Sequence, residues 1–281
     1  MLLSLSDLRT ILRWRMTSRS QFAIANSVLR DRFRQLVKPF VSDVAAFSNA
    51  LRNHGAVVSG SLALYYFVRC DSWYPNDMDI YVSYDEFPAF LQTVESDPSI
   101  RFVPSTQPPA SSLTTSESLD IVEVRKYITP SNRSVDVIRS RRANPVYPLV
   151  GFWTSLLVNF VTPDYFASAF PRMVFNGKGY VKEFGMNIRD EIAMRKYTSR
   201  RFQGTEYFTF VPELWGTWMD PFYWQKDYFS DGKALVVDLR ANASDRIPSM
   251  PVVSVSDGWK LVLPFPSGRY HIFLAYDRLL T

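Results

Sequence analysis

Apolar and polar positions along this chain change period several times, and each change predicts an element. Near the N-terminus Leu2, Leu3, Leu5, Leu8, Ile11, Leu12 and Met16 recur at helical spacing. A second amphipathic helix is predicted over Gln21 to Val37, with Phe22, Ala25, Val28, Leu29, Phe33 and Leu36 as its stripe. A third fits Val41 to Asn53 and stops at His54-Gly55. The period then shortens. Ala56 to Ser59 reads as a strand, Ser61 to Val68 as a helix, and Asp77 to Val82 as a second strand entered through the turn Pro75-Asn76. In that second strand residues two apart share a face, so Asp77 and Asp79 project together while Met78 and Ile80 face a core.

Further on, Tyr84 to Glu95 is expected to be helical and Ile100 to Val103 extended. The Ser/Thr/Pro-rich run from Pro104 to Ser118 reads as a flexible loop. Leu119 to Thr129 and Arg133 to Ile138 form a predicted hairpin about Pro130-Ser131-Asn132. Within it Val135 and Val137 take one face and Asp136 the other. The mostly apolar run Pro148 to Val161 predicts a buried helix with Thr154, Ser155 and Asn159 on its polar side. Asn187 to Arg201 predicts another, whose terminal Arg195, Lys196, Arg200 and Arg201 suit a helix C-terminus without any ligand. Beyond Phe202 short strands are expected at Phe208 to Val211, Ala234 to Leu239, Val252 to Ser256, Trp259 to Leu263 and Tyr270 to Ala275, punctuated by prolines. The aromatic residues between them suit the core of a small sheet better than a stacking platform for single-stranded nucleic acid.

These patterns describe an α+β chain in four parts: a helical region (1–54), a core of alternating strands and helices (55–145), a second helical region (146–201) and a β-rich aromatic region (202–281). With 281 residues, 47% of them hydrophobic and 15% aromatic, the chain can bury a large core. The net charge of +5 permits a polyanionic partner without demanding one. Arginines crowd the first forty residues, either as a basic arm or, the preferred reading, as solvated faces of amphipathic helices. One cysteine, Cys70, excludes an internal disulfide framework, and two histidines argue against a His-based zinc site. No apolar run is long enough for a membrane span, and charges interrupt any signal-peptide core, so a cytoplasmic protein is expected, with the nucleus as the alternative location.

Two carboxylates side by side repel, and a divalent cation resolves that repulsion; hard oxygen ligands at this spacing suit Mg²⁺ or Mn²⁺. Gly60-Ser61 opens the intervening helix, where free N–H groups favour an anion, although Ser61 could equally be an ordinary N-cap. For Asp136 the ordinary alternative is a surface carboxylate paired with Arg133 or Arg139. Arg139, Arg141 and Arg142 fit a triphosphate, an acceptor backbone or a solvated turn equally well.

Gly60-Ser61, then Asp77-x-Asp79, then the lone Asp136 on a neighbouring strand resemble the nucleotidyltransferase superfamily related to DNA polymerase beta. The resemblance covers roughly residues 55 to 140. Phe152-Trp153-Thr154-Ser155 and Asn159 are similar to a pattern in nucleotidyltransferase-like proteins of fungal genomes. Fifteen residues separate Ser61 from Asp77, more than is usual in the superfamily. The resemblance implies a nucleotidyltransferase-like mixed sheet with flanking helices. It implies an enzyme that moves a nucleoside monophosphate from a triphosphate such as ATP to an acceptor hydroxyl on RNA, protein or a small molecule. Asp77, Asp79 and Asp136 would be catalytic and bind Mg²⁺ or Mn²⁺, and Gly60, Ser61, Thr154, Ser155 and Asn159 would bind the nucleotide. The alternative is a catalytically inactive nucleotide-binding or partner-binding protein on the same fold.

Overall fold

A computed structural model describes residues 6–70, 72–105, 120–181, 188–200, 209–211, 234–240, 253–255 and 258–260. Three helices open the chain, α1 (Leu8–Arg15), α2 (Arg19–Val37) and α3 (Val44–Asn53). Each begins at a side chain that satisfies backbone N–H groups the helix leaves open: Asp7 accepts from Thr10 N, Ser18 from Gln21 N, and Asp43 from Ala45 N and Ala46 N. Gly55, at φ +57°, stops α3 and turns the chain into the sheet.

The central unit follows: β1 (Val57–Ser59), α4 (Gly60–Val68), β2 (Asp77–Val82), α5 (Phe87–Ser96), β3 (Val103–Pro104), β4 (Ile121–Ile128) and β5 (Ser134–Ser140). Then come β6 (Asn159–Val161), β7 (Tyr165–Ser168), α6 (Pro171–Phe175), β8 (Lys178–Tyr180), α7 (Ile188–Thr198), β9 (Thr209–Val211), β10 (Leu235–Asp238), β11 (Val253–Val255) and β12 (Gly258–Lys260). Eight strands form one mixed sheet in the order β10-β7-β6-β1-β2-β5-β4-β3. Every neighbouring pair is antiparallel except β2 and β5, which run parallel.

Alternation sorts the sheet into two faces. Val58, Met78, Ile80, Val82, Val135, Val137, Val161 and Phe166 join the helices in the larger core. Val57, Tyr81, Ile138, Phe160, Tyr165, Ala167 and Val236 turn to the other face, under Val146, Leu149 and Val158. Helix α4, with eight of its nine residues buried, is the inner helix of the first face.

The expected helix over 148–161 does not form. Tyr147–Gly151 and Ser155–Leu157 are 3-10 turns, and Asn159–Val161 is strand β6. With β6 and β7, the region 146–201 supplies sheet as well as helix, and α7 is its only long helix among the described residues. A continuous apolar run fits a doubly buried strand as well as a buried helix, and the periodicity could not separate them. The predicted strand at Ile100 to Val103 is shifted to β3. The loop expected at Pro104 to Ser118 falls mostly, and the strand at Tyr270 to Ala275 and Trp215, Trp218 and Trp224 fall wholly, outside the described residues. No described helix is long and apolar enough to cross a membrane.

The N-terminal arginines are not all solvated. Arg15 Nη2 donates to Asp238 O (2.9 Å) and its Nε to Asn26 Oδ1 (2.7 Å), while Arg30 Nη2 donates to Leu239 O (2.6 Å). Two helices thereby hold the end of edge strand β10, whose register on β7 places Leu235 opposite Ser168.

Candidate functional site

The residues predicted from the strand pattern meet at one end of three adjacent strands. Ser59 pairs with Asp79 across β1 and β2, and Asp79 pairs with Asp136 across the parallel β2 and β5. Asp77 lies two residues before Asp79 on the same face, opposite Ser134. All three carboxylates therefore project from the face that carries Tyr81 and Ile138.

Gly60 makes the close approach that this arrangement needs. Its φ is +66°, and a Cβ built on it would overlap Asp79 Oδ2 and stand 3.2 Å from Asp79 Cγ. Glycine thus supplies both the backbone conformation and the space for the carboxylate. The next residue, Ser61, donates its hydroxyl to Asp77 Oδ1 (3.2 Å). No side chain caps the start of α4, because Ser59 spends its hydroxyl on Asn159 O (2.5 Å).

Charge is crowded here. The Asp79 carboxyl is pushed up to about 8, by burial first and then by Asp77 and Asp136, against the opposing charges of Lys126 and Lys196. Part of the residue remains open to solvent. The Tyr81 phenol, one rung along the same face, is held well above its usual range by burial and then by Asp79 and Asp136.

Asp136 already has a partner. Its Oδ2 accepts from Lys126 Nζ (2.8 Å), the residue directly across β4 and β5. Neither expected arginine pairs with it. Arg133 donates to Pro75 O (3.0 Å) and lies over Phe40 and Tyr74, and Arg139 donates to Tyr84 O (3.1 Å) with its guanidinium 3.9 Å above the Tyr84 ring. Arg139 also points to the opposite face from Asp136 and sits about 10 Å further along the strand.

Thr154, Ser155 and Asn159 do not line an open site: all three are buried. Thr154 Oγ1 accepts from Leu156 N (3.3 Å), and Asn159 Nδ2 donates to Leu156 O (2.5 Å). Asn159 is two residues from Val161 on β6, so its side chain leaves the sheet on the helical face, away from Asp79. Asn159 Oδ1 and Ser168 Oγ, on paired residues of β6 and β7, are buried without hydrogen-bond partners.

Several residues at the site had no predicted role there. Helix α7 carries Lys196, whose charge acts on Asp79, and Tyr197, whose phenol is pushed up by burial and by Asp77 and Asp79 while Arg200 pulls it down. Arg200 is stacked over Trp73 (4.2 Å) and Tyr197 (4.5 Å). The sequence attributed the basic end of this helix to the helix dipole alone, yet the charge of Lys196 acts on Asp79. Lys126 had a usable signal: in a tight hairpin its pairing with Asp136 follows from counting outward from the turn.

The donor set suits a hard divalent cation in part. Asp77 and Asp79 offer oxygens from one strand face, and a cation would relieve the crowding that drives the Asp79 carboxyl up. Asp136 is turned to Lys126, and among the described residues no group of three or more His, Cys, Asp or Glu side chains is gathered as a metal site. Compared with protein-family models, with curated proteins and with solved structures, the chain matches none of them.

Proposed function

We propose that this chain is a nucleotidyltransferase-like protein that moves a nucleoside monophosphate from a nucleoside triphosphate to an acceptor hydroxyl. The observation that carries the reading is the register that sets Asp79 beside Asp136, with Asp77 on the same face and the Gly60-Ser61 turn packed against them. Asp77 and Asp79 would hold Mg²⁺ or Mn²⁺, which when bound supplies positive charge for phosphate oxygens and for an ionising hydroxyl. The uncapped start of α4 offers backbone N–H groups to the phosphates, and Ser61 can turn its hydroxyl from Asp77 to a phosphate oxygen. In the transfer an acceptor oxygen bonds to the α-phosphorus, the bond from that phosphorus to the bridging oxygen breaks, and pyrophosphate leaves. Asp136 would serve as the base for the acceptor proton once Lys126 releases it. RNA, a protein or a small molecule can present such a hydroxyl.

The Lys126–Asp136 pair favours a second reading, a nucleotide-binding protein without catalysis, because the third acid is neutralised by a lysine. One experiment separates the two. Pyrophosphate release is measured with each of the four ribonucleoside triphosphates, with Mg²⁺ and then Mn²⁺, in cellular RNA and lysate. Release that vanishes in Asp77→Ala/Asp79→Ala supports transfer. A triphosphate-dependent rise in melting temperature without release supports the binding reading, and absence of both rejects the site.

A further inference from the structure

His54 closes α3 as its C-cap, where the open carbonyl groups of the helix favour a cation. Its side chain is only 15% exposed and stands edge-on to Phe90 of α5, with ring centroids 5.8 Å apart. Both ring nitrogens meet side-chain oxygens. Nδ1 lies 3.0 Å from Glu86 Oε2, and Nε2 lies 3.0 Å from Thr93 Oγ1. One imidazole thus joins the end of α3 to α5 at two places, the N-cap Glu86 and a residue within the helix.

The directions of these bonds follow from the atoms. An ionised carboxylate only accepts, so Nδ1 donates to Glu86. Thr93 gives its hydroxyl proton to Ala89 O (3.0 Å), one turn back in the same helix. Toward the ring Thr93 Oγ1 is then an acceptor, and Nε2 donates as well. A histidine whose two nitrogens both donate is an imidazolium. Hydroxyl, imidazole and carboxylate in this order also make a nucleophile triad, but here the hydroxyl proton is committed to Ala89 O and the ring cannot take it. Other charged side chains of the two helices are turned elsewhere or exposed. Arg52 of α3 donates to Asp164 (2.8 and 2.9 Å) and Asn49 (3.1 Å), Glu95 of α5 accepts from the Tyr127 phenol (2.6 Å), and Asp85, beside Glu86, is exposed.

We propose that His54 is a pH-sensitive latch between α3 and α5, closed while its ring carries both protons. Loss of the Nε2 proton reduces the ion pair with Glu86 to a neutral hydrogen bond. It also leaves Nε2 and Thr93 Oγ1 facing each other as two acceptors until the hydroxyl turns away from Ala89 O. The latch joins the turn before β1 to the helix after β2, whereas Ser59 pairs with Asp79 at the other end of β1. It is separate from the acidic cluster and does not depend on the transfer reaction.

The test uses the full chain, whose histidines are His54 and His271. Their rings are labelled with ¹⁵N, and the protons on each nitrogen are followed by NMR from about pH 5 to 9. Amide-exchange protection of Val44–Asn53 and Phe87–Ser96, relative to the central strands, is measured over the same range. His54→Gln assigns the ring signals. The expected result is a several-fold fall in the protection of both helices over the interval in which the His54 ring loses one proton. That fall is expected to be absent in His54→Gln and smaller in Thr93→Val. Should His54→Gln fail to fold, His271→Gln assigns the signals by elimination, and the comparison of wild type with Thr93→Val carries the test. Protection that stays level while the ring loses its proton, a ring that never changes over the range, or a fall undiminished in the variants overturns the proposal.

Discussion

The Asp79 carboxylate rests against the backbone of Gly60, in the space that a side chain at that position would fill. Gly60→Ala must therefore meet two penalties, the φ of +66° and the overlap with Asp79. The conformational penalty alone is about 1–2 kcal/mol. Urea unfolding is expected to show at least that loss. In Asp79→Ala, where the overlapping atoms are gone, the same glycine substitution is expected to cost less. Equal costs in the two backgrounds would show that the contact is immaterial.

The Asp79 carboxyl also sets a pH dependence. Its pKa is pushed up from 3.8 to about 8 in the folded chain. The folded state therefore holds a proton that the unfolded state releases. Its contribution to stability is complete below the unfolded value and is lost as pH rises through the folded one. In EDTA, the urea midpoint of the wild type is expected to fall between about pH 4 and 8 and to level off above that. Asp79→Asn, which stays neutral, is expected to flatten that segment; an unchanged slope would remove Asp79 as its source.

Lys126 and Asp136 are both partly exposed, with side-chain exposures of 39% and 26%. Their pairing contributes no more than about 1 kcal/mol. Lys126→Met is thus expected to leave the melting temperature nearly unchanged. If Asp136 belongs to the cation site, the variant gains affinity for Mn²⁺ several-fold by calorimetric titration. Unaltered affinity would confine the site to Asp77 and Asp79.

Arg15 and Arg30 donate charged hydrogen bonds to the carbonyls of Asp238 and Leu239. Such bonds are worth about 1.5–3 kcal/mol each before solvent screening. Arg15→Met/Arg30→Met is expected to speed amide exchange in Leu235–Asp238 before the central strands respond. Uniform acceleration across the sheet would instead mean that β10 opens only with the whole fold.

Thr154 and Asn159 are buried, and each bonds to the Leu156 backbone. Thr154→Val and Asn159→Ala are expected to shift the melting temperature of the protein alone while leaving the additional shift from Mg²⁺ and triphosphate intact. Loss of the ligand-dependent shift, with the fold retained, would return these residues to nucleotide binding.

Much of the central unit could be read in advance because its signals are local. The alternation in Asp77-Met78-Asp79-Ile80 assigns faces by covalent geometry alone, and Pro75-Asn76 marks where the strand begins. Val135 and Val137 place Asp136 by the same rule. Cap residues such as Ser18 and Asp43 mark helix starts because a short polar side chain reaches the open N–H groups beside it. The run from Pro148 to Val161 had no such signal. Being buried on both sides, it carries no polar alternation, and only its place between neighbouring strands makes part of it β6.

By itself the sequence determined that this is an α+β chain, that Asp77, Asp79 and Asp136 each leave a strand on one side, and that a Gly-Ser turn precedes a helix, because these follow from periods of two and 3.6 within short segments. Tertiary structure alone decided that Asp79 and Asp136 are neighbours, that a charge on α7 acts on Asp79, and that the Arg32 guanidinium is buried with no hydrogen-bond partner among the described residues. Those relations depend on strand order and on helix packing across long sequence separations, and a linear pattern of apolar and polar residues carries no distance between its parts.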